Sequence, residues 1–126
     1  MRLQGAIAAG GVAGALARAG IEHAWPASGD TWPWTTFAVN VAGTLLLGYF
    51  ATRLQERLPP STYRRPFLGT GLCGALTTFS TLQLEALALF RHGHVPLGVA
   101  YLAGTLAAGL AGMHLATAAT RRVRLR

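Results

Sequence analysis

Residues 69 to 82 read Gly-Thr-Gly-Leu-Cys-Gly-Ala-Leu-Thr-Thr-Phe-Ser-Thr-Leu and lie inside a membrane-length apolar segment. Hydroxyls at Thr77, Thr78, Ser80 and Thr81 follow directly on Gly74. Glycine weakens a helix, and a hydroxyl in hydrocarbon needs a partner. The combination predicts a helix broken at membrane depth, with backbone and hydroxyls turned toward a polar cargo. The hydroxyls could instead serve only to cap the freed backbone.

Asn40, the single asparagine, lies six residues into a second apolar stretch. Thr36 and Thr44 stand one helical turn to either side and share its face. An amide can donate to an anion or accept from a cation, so Asn40 alone leaves the sign of the cargo open. The alternative is a hydrogen bond that joins two helices. Glu85 is the one carboxylate well inside an apolar segment, a functional-site signal by default, with an arginine near the membrane surface as the alternative partner. Tyr101 and Thr105 sit one turn apart in the last segment, beside a small-residue seam of Gly104, Ala108 and Gly112. His114 has no second ligand at useful spacing, since His92 and His94 stand at the other end of that segment. Gly69-Thr70-Gly71-Leu72-Cys73-Gly74 matches a dinucleotide fingerprint by letter, but no strand pattern surrounds it.

The elements that must position these residues are four apolar stretches, about 3–19, 35–52, 67–90 and 95–120. Each approaches the roughly 17–25 residues that a spanning helix needs. In a chain of 126 residues they leave little for a soluble core. A soluble four-helix bundle would need a polar face at 3.6 spacing, and these stretches are apolar nearly all round. The reading is a single all-helical membrane domain over residues 1–126. Gly10 and Gly14 form a small-residue pair for close helix packing, which argues against the first stretch being a cleaved signal.

The formal charge of +7 comes from 11 arginines without a lysine. They flank the spans rather than form one face, which disfavours nucleic acid. Arg2, the second-loop arginines (Arg53, Arg57, Arg64, Arg65) and the tail (Arg121, Arg122, Arg124, Arg126) outweigh Arg91 alone in the third loop. That bias predicts both termini in the cytoplasm. The first loop carries Trp25, Trp32 and Trp34, as interfacial anchors would. Cys73, the only cysteine, cannot form an intrachain disulfide.

Three motifs arrive in order along nearly the whole chain: Gly10-Gly11-x-x-Gly14-Ala15-x-x-Arg18, Phe37-Ala38-Val39-Asn40-Val41-Ala42-Gly43, and Gly71-Leu72-Cys73-Gly74-Ala75-Leu76-Thr77-Thr78-Phe79-Ser80-Thr81. Together they resemble the Fluc/CrcB family of small fluoride channels, the last motif most specifically. The resemblance implies a non-enzymatic, multi-pass protein of the cytoplasmic (inner) membrane that lets fluoride out passively. It implies four transmembrane helices per subunit, the third broken near its middle, in an antiparallel dual-topology-type dimer with itself or a paralogous chain. The implied fluoride pathway is Asn40, Phe79, Ser80, Thr81, Glu85, Tyr101 and Thr105, with Arg18 at the vestibule. A structural sodium ion at the dimer centre would rest on backbone carbonyls of Gly74 and Thr77. Two departures stand out: Leu82 replaces the family's usual second phenylalanine, and the arginine bias is strong for a dual-topology chain. A small multidrug-type proton-coupled exporter is the alternative, but it needs a carboxylate in the middle of the first helix, and the first acid here is Glu22.

Overall fold

The computed structural model describes residues 2–56, 59 and 61–123, and among them only helices and their connections occur. Four long segments follow one another: α1 (Arg2–Ala24), α2 (Trp34–Glu56), α3 (Pro66–Arg91) and α4 (Val95–Arg122). Arg57, Arg124 and Arg126 lie outside the described residues.

By length and composition, α2, α3 and α4 are long and apolar enough to cross a membrane. The sequence reading expected four such spans. α1 is as long as α2, 23 residues, but Gly5, Gly10, Gly11, Gly14 and Gly20 replace bulky apolar side chains, and Arg18 and Glu22 add charge.

The helix ends follow local chemistry. Pro66 and Pro96 stand in the first turns of α3 and α4, where a missing N–H costs nothing. α3 ends at Gly93, whose φ of 81° suits only glycine readily. There His94 N–H reaches Leu89 C=O at 2.8 Å and Gly93 N–H reaches Phe90 C=O at 3.1 Å, a Schellman closure. The Thr35 hydroxyl donates to Trp25 C=O and ties the first loop back to the end of α1.

α3 is not uniformly wound. Pro66–Cys73 has π spacing, and Gly74–Leu76 makes one α turn. Thr77 and Thr78 then take extended backbone (ψ 151° and 122°), and winding resumes over Phe79–Arg91.

Packing assigns α1 to the first part of α3, α2 to α4, and the second part of α3 to α4. The α1–α3 contact is made by glycines. A Cβ at Gly10 would overlap Phe67 C=O, and one at Gly14 would overlap Leu72 C=O. A Cβ on Gly71 would come 2.5 Å from Ile7 C=O. The backbones of the two helices therefore touch, which is how helices gain packing contact in lipid. Leu82, Ala86, Leu89 and Tyr101 form the apolar core between α3 and α4, with Trp32 and Phe37 packed against it.

Candidate ion pathway

Asn40 of α2 meets the extended pair of α3. Its Oδ1 accepts the Thr78 N–H at 2.8 Å, and its Nδ2 donates to Thr78 C=O at 3.1 Å. The side-chain amide thus pairs with both backbone polar groups of one residue, as a neighbouring strand would. One amide hydrogen of Nδ2 is left over from this pairing. Close approach here depends on Gly43, where a Cβ would overlap the Thr77 methyl.

Arg18 of α1 holds the other side of the same place. Its Nε donates to Ala75 C=O at 3.2 Å, and its Nη1 pairs with Glu22 at 3.2 Å. A guanidinium at this point satisfies a carbonyl that the ending helix leaves without its donor, and it complements the negative end of the helix dipole.

These contacts redistribute the helical hydrogen bonds. In an α-helix Thr78 N–H would serve Gly74 C=O, and Thr81 N–H would serve Thr77 C=O. Here Thr78 N–H goes to Asn40, while Thr81 N–H goes to the Thr78 hydroxyl at 3.2 Å, an N-cap for Phe79–Arg91. The carbonyls of Gly74 and Thr77 lose these helical donors. Thr77 itself bonds back to Cys73 C=O through both N–H and hydroxyl, each at 3.1 Å.

A groove of about 360 Å³ opens beside this region, with Asn40, Gly74, Thr77, Thr78, Phe79 and Thr105 in its wall. Thr105 is 5% exposed, and its hydroxyl has no hydrogen-bond partner among the described residues. Phe79 is 65% exposed, whereas Leu82, three residues on, is 3% exposed inside the core. Leu82 also borders the groove, but the two side chains occupy different environments. The hydroxyls of Thr78, Ser80 and Thr81 cluster at the start of Phe79–Arg91, with Thr78 to Thr81 at 3.1 Å and Thr78 to Ser80 at 3.4 Å.

Glu85 stands apart from that groove. Thr36 of α2 donates to its Oε1 at 2.8 Å, and Tyr101 of α4 donates to its Oε2 at 2.6 Å. The carboxylate is held by two hydroxyls; no arginine pairs with it among the described residues. Tyr101 is fully buried, with Trp32 edge-on to its ring at 5.5 Å. His114 is exposed on α4.

The sequence-predicted residues therefore fall into two clusters, one around Asn40 and Thr78 and one around Glu85. The link from Arg18 to Ala75 C=O was not foreseen, and neither was the seat of Trp32 against Gly104, where a Cβ would come 2.9 Å from the ring. An arginine at the end of one apolar helix carries no local sign of a carbonyl 57 positions away.

Apolar helices of spanning length, with irregular backbone and polar side chains gathered at one point of one of them, define a multi-pass helical membrane protein. Residues 5–117 match the family described as CrcB-like protein, Camphor Resistance (CrcB), and the chain belongs to that family. It is 55% identical over 121 residues to fluoride-specific ion channel FluC 1 of Mycobacterium bovis, covering 96% of this chain and 92% of that one. It is 44% identical over 117 residues to FluC 1 of Streptomyces coelicolor, covering 93% and 76%. With FluC of Chlorobaculum tepidum it shares 42% over 105 residues, 83% of each chain.

Proposed function

We propose that this chain is a fluoride-specific ion channel of the cytoplasmic membrane, passing fluoride passively outward and so protecting against its toxicity. The relatives' names carry the same activity. The observation in this chain that carries the reading is one groove bordered by the Asn40 amide, the unpartnered Thr105 hydroxyl and the exposed Phe79 ring.

Fluoride is small and strongly hydrated, so a dry path must replace its water with short, strong donors. Asn40 has an amide hydrogen to offer beyond its bond to Thr78 C=O. Thr105 has a hydroxyl with no other use. The edge of the Phe79 ring is electropositive and can face an anion. Ser80 and Thr81 add hydroxyls at the positive end of a helix. Glu85 accepts from Thr36 and Tyr101 and orients the Tyr101 hydroxyl at the far side of the core. Arg18 keeps the α3 interruption in place through Ala75 and adds positive charge at the approach.

The extended pair at Thr77 and Thr78 is the break of the third helix in this reading. The exposed Phe79 and its groove are the surface that a second, antiparallel subunit covers, whether a copy of this chain or a paralogue. Gly74 and Thr77 fit a structural sodium ion at that dimer centre. Their carbonyls have lost helical donors, and a hard cation takes oxygen ligands. Such an ion supplies fixed positive charge beside the anion path.

A proton-coupled multidrug exporter finds no support. Glu22 lies near the end of α1 and is ion-paired with Arg18. The decisive experiment measures fluoride, chloride and a cationic dye released from vesicles containing only this protein. Fluoride efflux with chloride and dye retained is the expected result. Chloride released as fast as fluoride would refute the assignment.

A further inference from the structure

A second groove, of about 330 Å³, lies between the C-terminal half of α2 and the start of α3. Leu47, Phe50, Ala51 and Leu54 form its apolar wall, at the spacing of a single helix face. Gly69 leaves room on the α3 side, and Arg65 borders the groove where α3 begins.

Arg65 has no carboxylate partner among the described residues, and each of the four acids is engaged elsewhere. Glu22 pairs with Arg18 and Glu56 with Arg121 at 2.7 Å. Asp30 meets His92 at 2.9 Å, and Glu85 is held by Thr36 and Tyr101. Arg64 adjoins Arg65, and Arg53 stands in the last turn of α2. An apolar slot running from a cluster of unneutralised arginines has the chemistry of one amphiphile: an acyl chain below, an anionic headgroup above.

We propose that the α2–α3 groove is a binding site for an anionic phospholipid, its acyl chain along Phe50, Ala51 and Leu54 and its phosphate on Arg65. The site depends on the chain being a membrane protein and not on which ion it conducts. The arginine bias predicts this end in the cytoplasm for one subunit of an antiparallel pair, where anionic lipid gives such a site its ligand.

The test uses the purified protein in detergent, offered equal amounts of phosphatidylglycerol and phosphatidylcholine, with bound lipid counted by native mass spectrometry. Retained phosphatidylglycerol should exceed phosphatidylcholine roughly fivefold, the worth of one arginine at an anionic headgroup. Arg65→Gln should abolish that excess. Ala51→Trp fills the slot and should remove both lipids, with the subunits still associated and fluoride efflux retained. Equal retention of the two lipids by the parent protein overturns the site, as does an excess that survives Arg65→Gln. Subunit dissociation by Ala51→Trp would make this face a protein interface and overturn it too. Should Ala51→Trp fail to fold, the Arg65→Gln comparison decides alone.

Discussion

Replacing Asn40 by aspartate keeps size and shape while changing both of the jobs that the amide performs. Oδ1 still accepts the Thr78 N–H. The second carboxylate oxygen now faces Thr78 C=O at the position where Nδ2 donated over 3.1 Å, so an attraction becomes a repulsion. Leaving that buried carbonyl unsatisfied costs about 1–3 kcal/mol. The larger effect is on the ion. A unit negative charge in the groove wall stands roughly 4 Å from a passing anion, worth about 4 kcal/mol at the effective dielectric of a partly wet protein site. Taken as a barrier, that is a roughly thousandfold loss of fluoride efflux. Asn40→Ala separates the two contributions. It adds no charge but leaves both the N–H and the C=O of Thr78 without these partners, at about 1–3 kcal/mol each, a cost of roughly 2–6 kcal/mol for the two. The expected order is therefore reversed between the two readouts: aspartate is worse for flux, alanine worse for thermal stability. Both are measured on the same preparations, by fluoride efflux from vesicles and by thermal unfolding of the detergent-solubilised protein. A well-folded Asn40→Asp protein with near-parental efflux would refute the pathway role and leave Asn40 as a structural clamp.

Phe79→Ile should cut fluoride flux strongly with little loss of stability, because the ring is 65% exposed on the subunit; parental flux would make the ring mere packing. Leu82→Ala should do the opposite: it deletes methyl groups from the core, at about 2–5 kcal/mol in thermal unfolding, and leaves flux per folded protein nearly unchanged. Gly10→Ala should abolish folded protein on size-exclusion chromatography, since its Cβ meets Phe67 C=O, whereas Gly11→Ala should be neutral with nothing within 4 Å. Equal behaviour of the two glycine variants would show that α1 does not rest backbone-to-backbone on α3.

Much of this was legible because membrane helices declare themselves by length and because polar groups are rare within them. The four apolar stretches became helices, and Gly10 and Gly14 marked where two backbones touch. Thr36 and Asn40 do share a face, each reaching across to α3. The pairings themselves were not legible. A helix apolar all round has no polar face to fix its rotation, so nothing in the spacing of Phe79 and Leu82 says that one is exposed and the other buried. The arginine offered as the alternative partner of Glu85 was not met among the described residues, since two hydroxyls from different helices hold the carboxylate. The π winding of Pro66–Cys73 left no mark in the sequence either. That stretch packs against α1, a contact that periodicity does not encode.

The interruption at Thr77 and Thr78 is held in part from outside the segment that contains it. Arg18 and Asn40 belong to helices made earlier in the chain, and neither contact exists until those helices have docked. A lone segment in lipid must satisfy its own backbone, so α3 on first entering the bilayer has every reason to be one continuous helix. At 26 residues it would run about 39 Å, longer than the hydrocarbon it crosses. The two extended residues are then a late event in biogenesis. Thr78 would then exchange a helical bond to Gly74 for the one to Asn40 only once α2 has docked, after the membrane has accepted the chain.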